Sequence, residues 1–148
     1  MCGPLIRVQG YEIPDTIEGV VTTRIDCLAP AQQLTMKVAS VIGPAFGFDT
    51  LRDIFPVAKD KPDLRRHLNV LKARGFIQND PTGKPNLFSF CHIIIQQVSY
   101  QLMLFEQRRK LHQQVAIWHE TIYRDRIARF YALLAHHWER ADDYKKAF

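Results

Sequence analysis

The segment that decides the fold runs from Phe88 to Val115 and reads FSFCHIIIQQVSYQLMLFEQRRKLHQQV. At its start two phenylalanines flank Ser89, which is the period-two pattern of a strand with one buried face. After Cys91-His92 the spacing changes to that of a helix, with apolar residues at Ile94, Ile95, Val98, Leu102 and Phe105. One segment therefore predicts a strand and a helix that pack on the same core.

Upstream of this segment the sequence predicts short helices with recognisable ends. Asp15 or Thr16 can cap the first, Pro30 suits the first turn of the second, and Gly43 stops it. Residues 46–48 are predicted as a bend. The helices themselves are expected over residues 17–28, 30–43, 49–55 and 63–75.

A hairpin follows these helices. Residues 76–78 and 86–90 read as two strands, and the Pro- and Gly-containing residues 79–85 between them read as a turn. Helices followed by a two-stranded hairpin predict a winged-helix domain, in which residues 64–74 occupy the place of a DNA-reading helix.

Downstream, residues 107–123 predict another helix, and residues 127–148 predict a helix, a tight turn and the first turn of a further helix. Such a helix pair needs a neighbour to cover its apolar face, so we expect the opening of a helical repeat. The predicted organisation is a linker or short strand at 1–13, a winged-helix-like domain at 14–90, connecting helices at 91–125 and a truncated repeat at 126–148. The fold class is mainly α.

Composition narrows the class of protein. The chain has 148 residues, of which 47% are hydrophobic and 24% charged, enough to bury a core. Its apolar runs are far shorter than the ~20 residues that span a bilayer, and no secretion signal is visible.

Three widely spaced cysteines, Cys2, Cys27 and Cys91, fit neither a disulfide framework nor a zinc site, so we expect reduced thiols in a cytoplasmic protein. Residues 61–148 carry fifteen Lys/Arg against eight Asp/Glu, so an anionic partner would bind there.

Four stretches in a fixed order are also similar to one protein family. They are Ile13–Ile17 leading to Arg24–Leu28; Val38–Gly43 with Phe46; Phe90–His92 with Gln96, Val98, Tyr100, Arg109, Leu111 and His112; and Tyr131–Ala141. Together they resemble the region that follows the nucleotide-binding core in signalling ATPases of the STAND type. In that family the module is attached to class III adenylyl cyclases, including the bicarbonate-responsive soluble type, and to some transcription regulators and protein kinases.

The resemblance implies a winged-helix arm that folds over a nucleotide site, followed by tetratricopeptide-like repeats that bind partners or the other domains. It implies a parent protein that uses ATP or ADP with Mg²⁺ and makes cAMP from ATP. The phosphate-binding loop G-x-x-x-x-G-K-[ST] and the paired metal-binding aspartates of a cyclase are absent from this sequence. We therefore expect no catalysis and no bound cofactor in these 148 residues, and contacts with an ATPase core and a cyclase domain.

His92 is the predicted nucleotide-sensing residue. STAND proteins with a Met-His-Asp motif place a histidine against the nucleotide phosphate, and His92 resembles it in position, although Ile93 stands where the motif has Asp. A histidine beside a helix N-terminus can help to hold an anion. The alternative is a packed or capping histidine at a strand-to-helix turn.

A second group, Arg108, Arg109 and His112, is predicted to make an anion or interdomain contact. With Lys110 it forms a run of cations that produces a local positive field. Arg109 and His112 recur together in the family pattern, which favours an interdomain contact. The alternative is a solvated helix face.

Two other functions stay open from the sequence. Basic and amide side chains on the presumed recognition helix suit base readout and favour a DNA-binding regulator, although DNA is the less favoured partner: Arg65, Arg66, Asn69, Lys72 and Arg74. A pure protein-interaction module is the third possibility.

Metal binding and nucleophilic catalysis are not expected. His119-Glu120 resembles a zinc-protease helix, but Tyr123 stands where the second histidine is needed. His136 and His137 are adjacent and point ~100° apart on a helix, which is poor for sharing a metal. Ser40, Ser89 and Ser99 lack a glycine-flanked elbow and a partner base.

Overall fold

The computed structural model describes residues 16–141, which form a mainly helical fold with one small antiparallel sheet. The predicted linker at 1–13 and the predicted turn and helix after residue 141 lie outside the described residues. The helices are α1 (Ile17–Asp26), α2 (Pro30–Ile42), α3 (Phe48–Ile54), α4 (Leu64–Ala73), α5 (Ile93–Gln101), α6 (Phe105–Ile122) and α7 (Tyr131–Arg140). The strands are β1 (Ala45–Gly47), β2 (Ile77–Asn79) and β3 (Leu87–Phe90), and 3-10 turns cover Ala58–Asp63 and Arg124–Phe130.

Local chemistry explains the ends of the first two helices. The hydroxyl of Thr16 accepts the backbone N–H of Gly19 at 3.0 Å, so Thr16 is the cap of α1. Pro30 occupies the first turn of α2, where its missing N–H costs nothing, and Gly43 ends that helix with a φ of 150°. These predicted ends are confirmed.

The predicted hairpin is confirmed as β2 and β3, which pair antiparallel, and a third strand that was not predicted, β1, pairs with the other edge of β3 to give the order β1-β3-β2. The predicted bend at residues 46–48 instead contains most of β1, with Phe46 opposite Phe88. The ring of Phe46 lies 5.8 Å from that of Phe88 and 5.6 Å from that of Phe90. A strand of three residues is too short to show a period of two, which is why the sequence hid it.

Most helices pack around one hydrophobic core that also includes the inner face of the sheet. The predicted inward positions Leu102 and Phe105 are wrong, since these side chains are 37% and 57% exposed. The helix is interrupted between α5 and α6, and Met103 enters the core in place of Leu102 and Phe105. The helical period was read across a break that changes the chain direction.

The last helix, α7, packs against α6 through a small separate cluster of Ala116, Leu134, Trp138 and Ala141. The indole N–H of Trp138 donates to the carboxylate of Glu120 at 2.7 Å and ties the two helices together. Tyr131 lies at the first position of α7 and is 63% exposed.

Across the described range, every helix falls short of the length and apolarity that a bilayer crossing requires. Cys91 is a free, half-buried cysteine, whereas Cys27 is disulfide-bonded. The prediction of three reduced thiols is therefore wrong for Cys27.

We predict that Phe46→Ala lowers the free energy of unfolding by about 3 to 5 kcal/mol, because it leaves a cavity between the sheet and the helices. Phe105→Ala is the matched control, since Phe105 is largely exposed and its loss should change stability by less than about 0.5 kcal/mol. Urea denaturation of both variants measures the difference. Equal effects would show that Phe46 does not anchor β1 to the core.

Candidate functional site

An open cavity of about 720 Å³ lies where α5, α6 and α7 meet the C-terminal end of α2. Its walls comprise residues 40–44 of α2 and the following loop, Gln96, Gln97, Tyr100 and Gln101 of α5, Phe105, Arg108, Arg109 and His112 of α6, and His136 and Arg140 of α7. The lining residues therefore come both from helices of the main core and from α7, which packs in the smaller cluster. It brings together the three residues predicted as an anion or interdomain contact.

Helix geometry explains why these residues share one wall. Arg108 and Arg109 lie three and four residues after Phe105, and His112 lies four and three residues after them, which places all four on one face of α6. Lys110 lies on another face and lines a second cavity of about 560 Å³ with Asp53 and Met103. The run of three cations is therefore divided between two surfaces.

The cavity is strongly positive. Three arginines line it, and no Asp or Glu within residues 16–141 does so. Arg109 forms an ion pair with Glu106 at 3.1 Å, but Arg108 and Arg140 form none with the described residues. The Nε of Arg108 is also buried with no hydrogen-bond partner in that range. A site of this kind has donors and charge to offer to an anion.

A series of hydrogen bonds runs from the cavity wall, at Tyr100 and His112, to buried His137. The hydroxyl of Tyr100 lies 2.7 Å from Nε2 of His112, and Nδ1 of His112 lies 2.8 Å from Nδ1 of His137. His112 and His137 are 2% and 1% exposed, so the series is buried. The guanidinium of Arg108 lies 5.1 Å from the centre of the Tyr100 ring. This cation–π contact covers the hydrogen-bonded side chains on the side of the cavity.

Both buried imidazoles are held in the neutral form. Burial lowers the pKa of His112 to about 3, with help from the nearby charges of His136, Arg140 and Arg108. Burial likewise lowers the pKa of His137 to about 2, assisted by His112, His136 and His119. The pKa of His136 is lowered by burial and by Arg140, while Glu139 opposes the shift. At neutral pH the inner wall therefore carries nitrogen lone pairs, and the arginines carry the charge.

His92 lies apart from this group. It is the N-cap residue of α5 with an exposed side chain that makes no capping hydrogen bond. It does not line the arginine-lined cavity, although Gln96, one helical turn later, does. His92 therefore stands at the capping position of α5 without being packed or capping through its side chain, and its nucleotide-sensing role stays a prediction.

Sequence reasoning missed Tyr100 and Arg140 as members of the site. Tyr100 is twelve residues from His112, and only the break between α5 and α6 brings them together. Arg140 follows His136 by four residues, so a shared helix face was detectable once α7 was recognised. The sequence could not show that this face of α7 is directed toward α6.

The basic residues of α4 are partly engaged within the chain. Arg65 donates to the side chain of Asn86 at 2.8 Å, and its guanidinium lies 4.0 Å from the centre of the Phe48 ring. Lys72 donates to Asn79 at 3.3 Å, and Arg66 pairs with Asp63 at 3.4 Å. This helix therefore offers fewer free donors for base edges than its composition indicated.

Comparison with known proteins adds no assignment: no protein-family model, no curated protein and no solved structure matches this chain.

We predict that Tyr100→Phe lowers the free energy of unfolding by about 1 to 3 kcal/mol, because it leaves Nε2 of buried His112 without a partner. Arg108 keeps a ring to pack on, so only the hydroxyl is removed. Tyr131→Phe is the matched control, because Tyr131 is exposed and should tolerate the change. Chemical denaturation measures both, and an unchanged Tyr100→Phe midpoint would contradict the hydrogen-bonded chain.

Proposed function

We propose that these residues are a non-catalytic regulatory region of a larger ATP-binding signalling protein, most plausibly a soluble adenylyl cyclase. In this role the region binds an anionic group from the nucleotide site or from a neighbouring domain and passes that state to the effector. The observation that carries the proposal is the cavity with three arginines and no acidic lining residue within the described range. The parent enzyme and its use of ATP, ADP and Mg²⁺ rest on the family resemblance.

The order of elements supports the finer fold assignment. Helices α2, α3 and α4 precede the β2-β3 hairpin, the order of a winged helix, and β1 pairs with β3 as a third strand. The antiparallel contact of α6 with α7 suits the first helices of a tetratricopeptide-like repeat. A winged-helix arm followed by such repeats is the arrangement that we propose.

Phosphate is the anion that best suits the cavity. One guanidinium group can donate two parallel hydrogen bonds to two oxygens of a phosphate. Arg108 and Arg140 approach the cavity from two different helices. Gln97 supplies a neutral hydrogen-bonding group beside them, whereas the amide N–H of Gln96 already donates to the carbonyl of Ser40. The volume of about 720 Å³ lies in the range of small-molecule pockets, so a nucleotide or a phosphorylated segment has room.

The position of the cavity suggests how binding would be transmitted. Arg108 belongs to α6, which is built into the main core, whereas Arg140 belongs to α7, which is held by the small cluster of four residues. An anion that bridges the two arginines would stabilise one placement of α7 against α6. A ligand can shift such an equilibrium only by its difference in affinity for the two placements, and two charge-assisted contacts supply that difference.

The proposed location is the cytoplasm, as for the family that the sequence resembles. The disulfide at Cys27 counts against it, because such bonds are uncommon in reducing compartments. The proposed partners are the ATPase core and cyclase domain of the same polypeptide, and proteins that bind the helical repeats. His92, exposed at the start of α5, is retained as the candidate sensor.

Two other classes of function remain as alternatives. A DNA-binding regulator would bind duplex DNA with a steep dependence on salt, and Arg66→Gln in α4 would weaken it. An interaction module would bind neither nucleotide nor DNA. The partial use of Arg65 and Lys72 within the chain favours the anion-binding regulator over the DNA reader.

We predict that the purified chain binds ATP and inorganic tripolyphosphate, and that Arg140→Gln weakens both by about tenfold, the loss of one charge-assisted contact. Arg140 is exposed, so the fold should survive the change. Lys110→Gln removes the same charge from the other cavity and should leave the affinity within about twofold. Isothermal titration calorimetry at low salt measures all three proteins.

Equal losses in Arg140→Gln and Lys110→Gln would show that net charge, and not the arginine-lined cavity, attracts the anion. Tight binding of duplex DNA that Arg66→Gln abolishes, with no response to ATP, would support the DNA-binding alternative instead.

A further inference from the structure

Three histidines from two helices converge beside the arginine-lined cavity, which His112 and His136 line while His137 is buried behind them. His112 comes from α6, and His136 and His137 come from α7; one ring nitrogen of each lies within 4.8 Å of one ring nitrogen of the others. We propose that these three imidazoles form a binding site for a transition-metal ion, with Zn²⁺ as the ion that the donor set suits best. The site goes beyond the anion binding proposed above and does not depend on it.

The expectation that His136 and His137 cannot share a metal considered one helix alone. Adjacent residues do point ~100° apart, so neither could reach a metal centred on the other's side. The third imidazole, from α6, lies between the two directions: its ring centre is 5.7 Å from that of His136 and 5.0 Å from that of His137. A metal beside His112 can therefore be reached from both positions on α7.

The ligand atom of His112 is already selected. The hydroxyl of Tyr100 occupies Nε2 at 2.7 Å, which leaves Nδ1 directed at α7. Metal-binding histidines commonly hold their second nitrogen in a hydrogen bond of this kind, because it fixes the orientation of the ring. Tyr100 therefore serves as a positioning residue for the proposed site.

His137 supplies the second, independent observation. The side chain is 1% exposed, and its Nε2 has no hydrogen-bond partner among residues 16–141. A buried nitrogen without a partner costs free energy, and a metal ligand at this residue would explain why an imidazole is placed there at all. His137 can present either this nitrogen or Nδ1, which faces His112 at 2.8 Å.

The observed spacing suits a tetrahedral ion after small movements. Two nitrogens bound to one zinc at 2.0–2.1 Å lie about 3.3 Å apart. The separations here, 2.8 Å for one pair and at most 4.8 Å for any pair, lie on both sides of that value. Shifts of about an ångström close the site, and exposed His136 has the freedom to make the largest one.

The surroundings also define what kind of metal site this is. Three neutral nitrogens, without a thiolate or carboxylate, suit a borderline ion such as Zn²⁺ and exclude Ca²⁺ and Mg²⁺, which prefer oxygen ligands. Arg108 and Arg140 place positive charge nearby, so the affinity should be lower than that of structural zinc sites. Because His112 and His136 also line the open cavity, a fourth ligand such as water or an anion would reach the ion from that side.

The test is a zinc titration of the untagged, chelator-treated chain at neutral pH, with Co²⁺ as a spectroscopic probe of tetrahedral geometry. We expect one ion per chain and a higher thermal midpoint in its presence. His136→Gln should weaken zinc at least tenfold and remove the stabilisation; because His136 is exposed, the variant should fold. His92→Gln removes another exposed histidine and should leave zinc binding unchanged.

Absence of binding, or equal binding by wild type and His136→Gln, would overturn the proposal. Arg140→Gln distinguishes the two proposals, because it should weaken ATP while making zinc bind as tightly or more tightly through the loss of a repelling charge. A chain that binds ATP but no zinc would leave the anion site standing and the metal site rejected; the reverse result would reject only the anion site.

Discussion

The structure depends on the way in which α6 belongs to two hydrophobic clusters at once. Leu111 and Val115 are buried in the main core, while the next residue, Ala116, is buried against α7. Burial of apolar area on both sides fixes the rotation of α6 about its axis, since any rotation would expose one set. The direction in which Arg108 and His112 point follows from that constraint. The cavity is thus a consequence of packing, and its charged and hydrogen-bonding residues lie on a face of α6 whose direction the packing fixes.

The same constraint explains which parts of the fold the sequence could predict. Helices with a proline or glycine at their ends, such as α2, were predicted because capping is local chemistry. The strand β1 was missed, because Phe46 and its neighbours have no pattern of their own and become a strand only by pairing with β3. The end of α5 was predicted too late, because Leu102 and Phe105 continue its apolar spacing beyond Gln101. In each case the sequence-based prediction failed because the structure of the segment depends on residues that are distant in the sequence.

The candidate site shows the same division. The sequence grouped Arg108, Arg109 and His112 correctly, since residues three and four apart share a helix face. It could not group them with Tyr100, Arg140 and His137, which reach the site only through the packing of α5 and α7. It also judged Lys110 by its neighbours in sequence, although helix geometry sends it to another surface. Charge along a chain is a poor guide to charge in a cavity unless the helix phase is included.

Electrostatics ties the arginines to the histidines. The loss of solvent and the positive charge of Arg140 and Arg108 both favour neutral imidazole at His112, so the histidines stay uncharged while the arginines carry the positive charge. A dication at the histidines would meet that same positive field, and its binding would be helped by an anion at the arginines, which offsets the repulsion. Reciprocity of linked binding then requires that the metal strengthen the anion by the same factor. Because the two groups of side chains approach from α6 and α7 alike, either ligand would favour the same packing of these two helices.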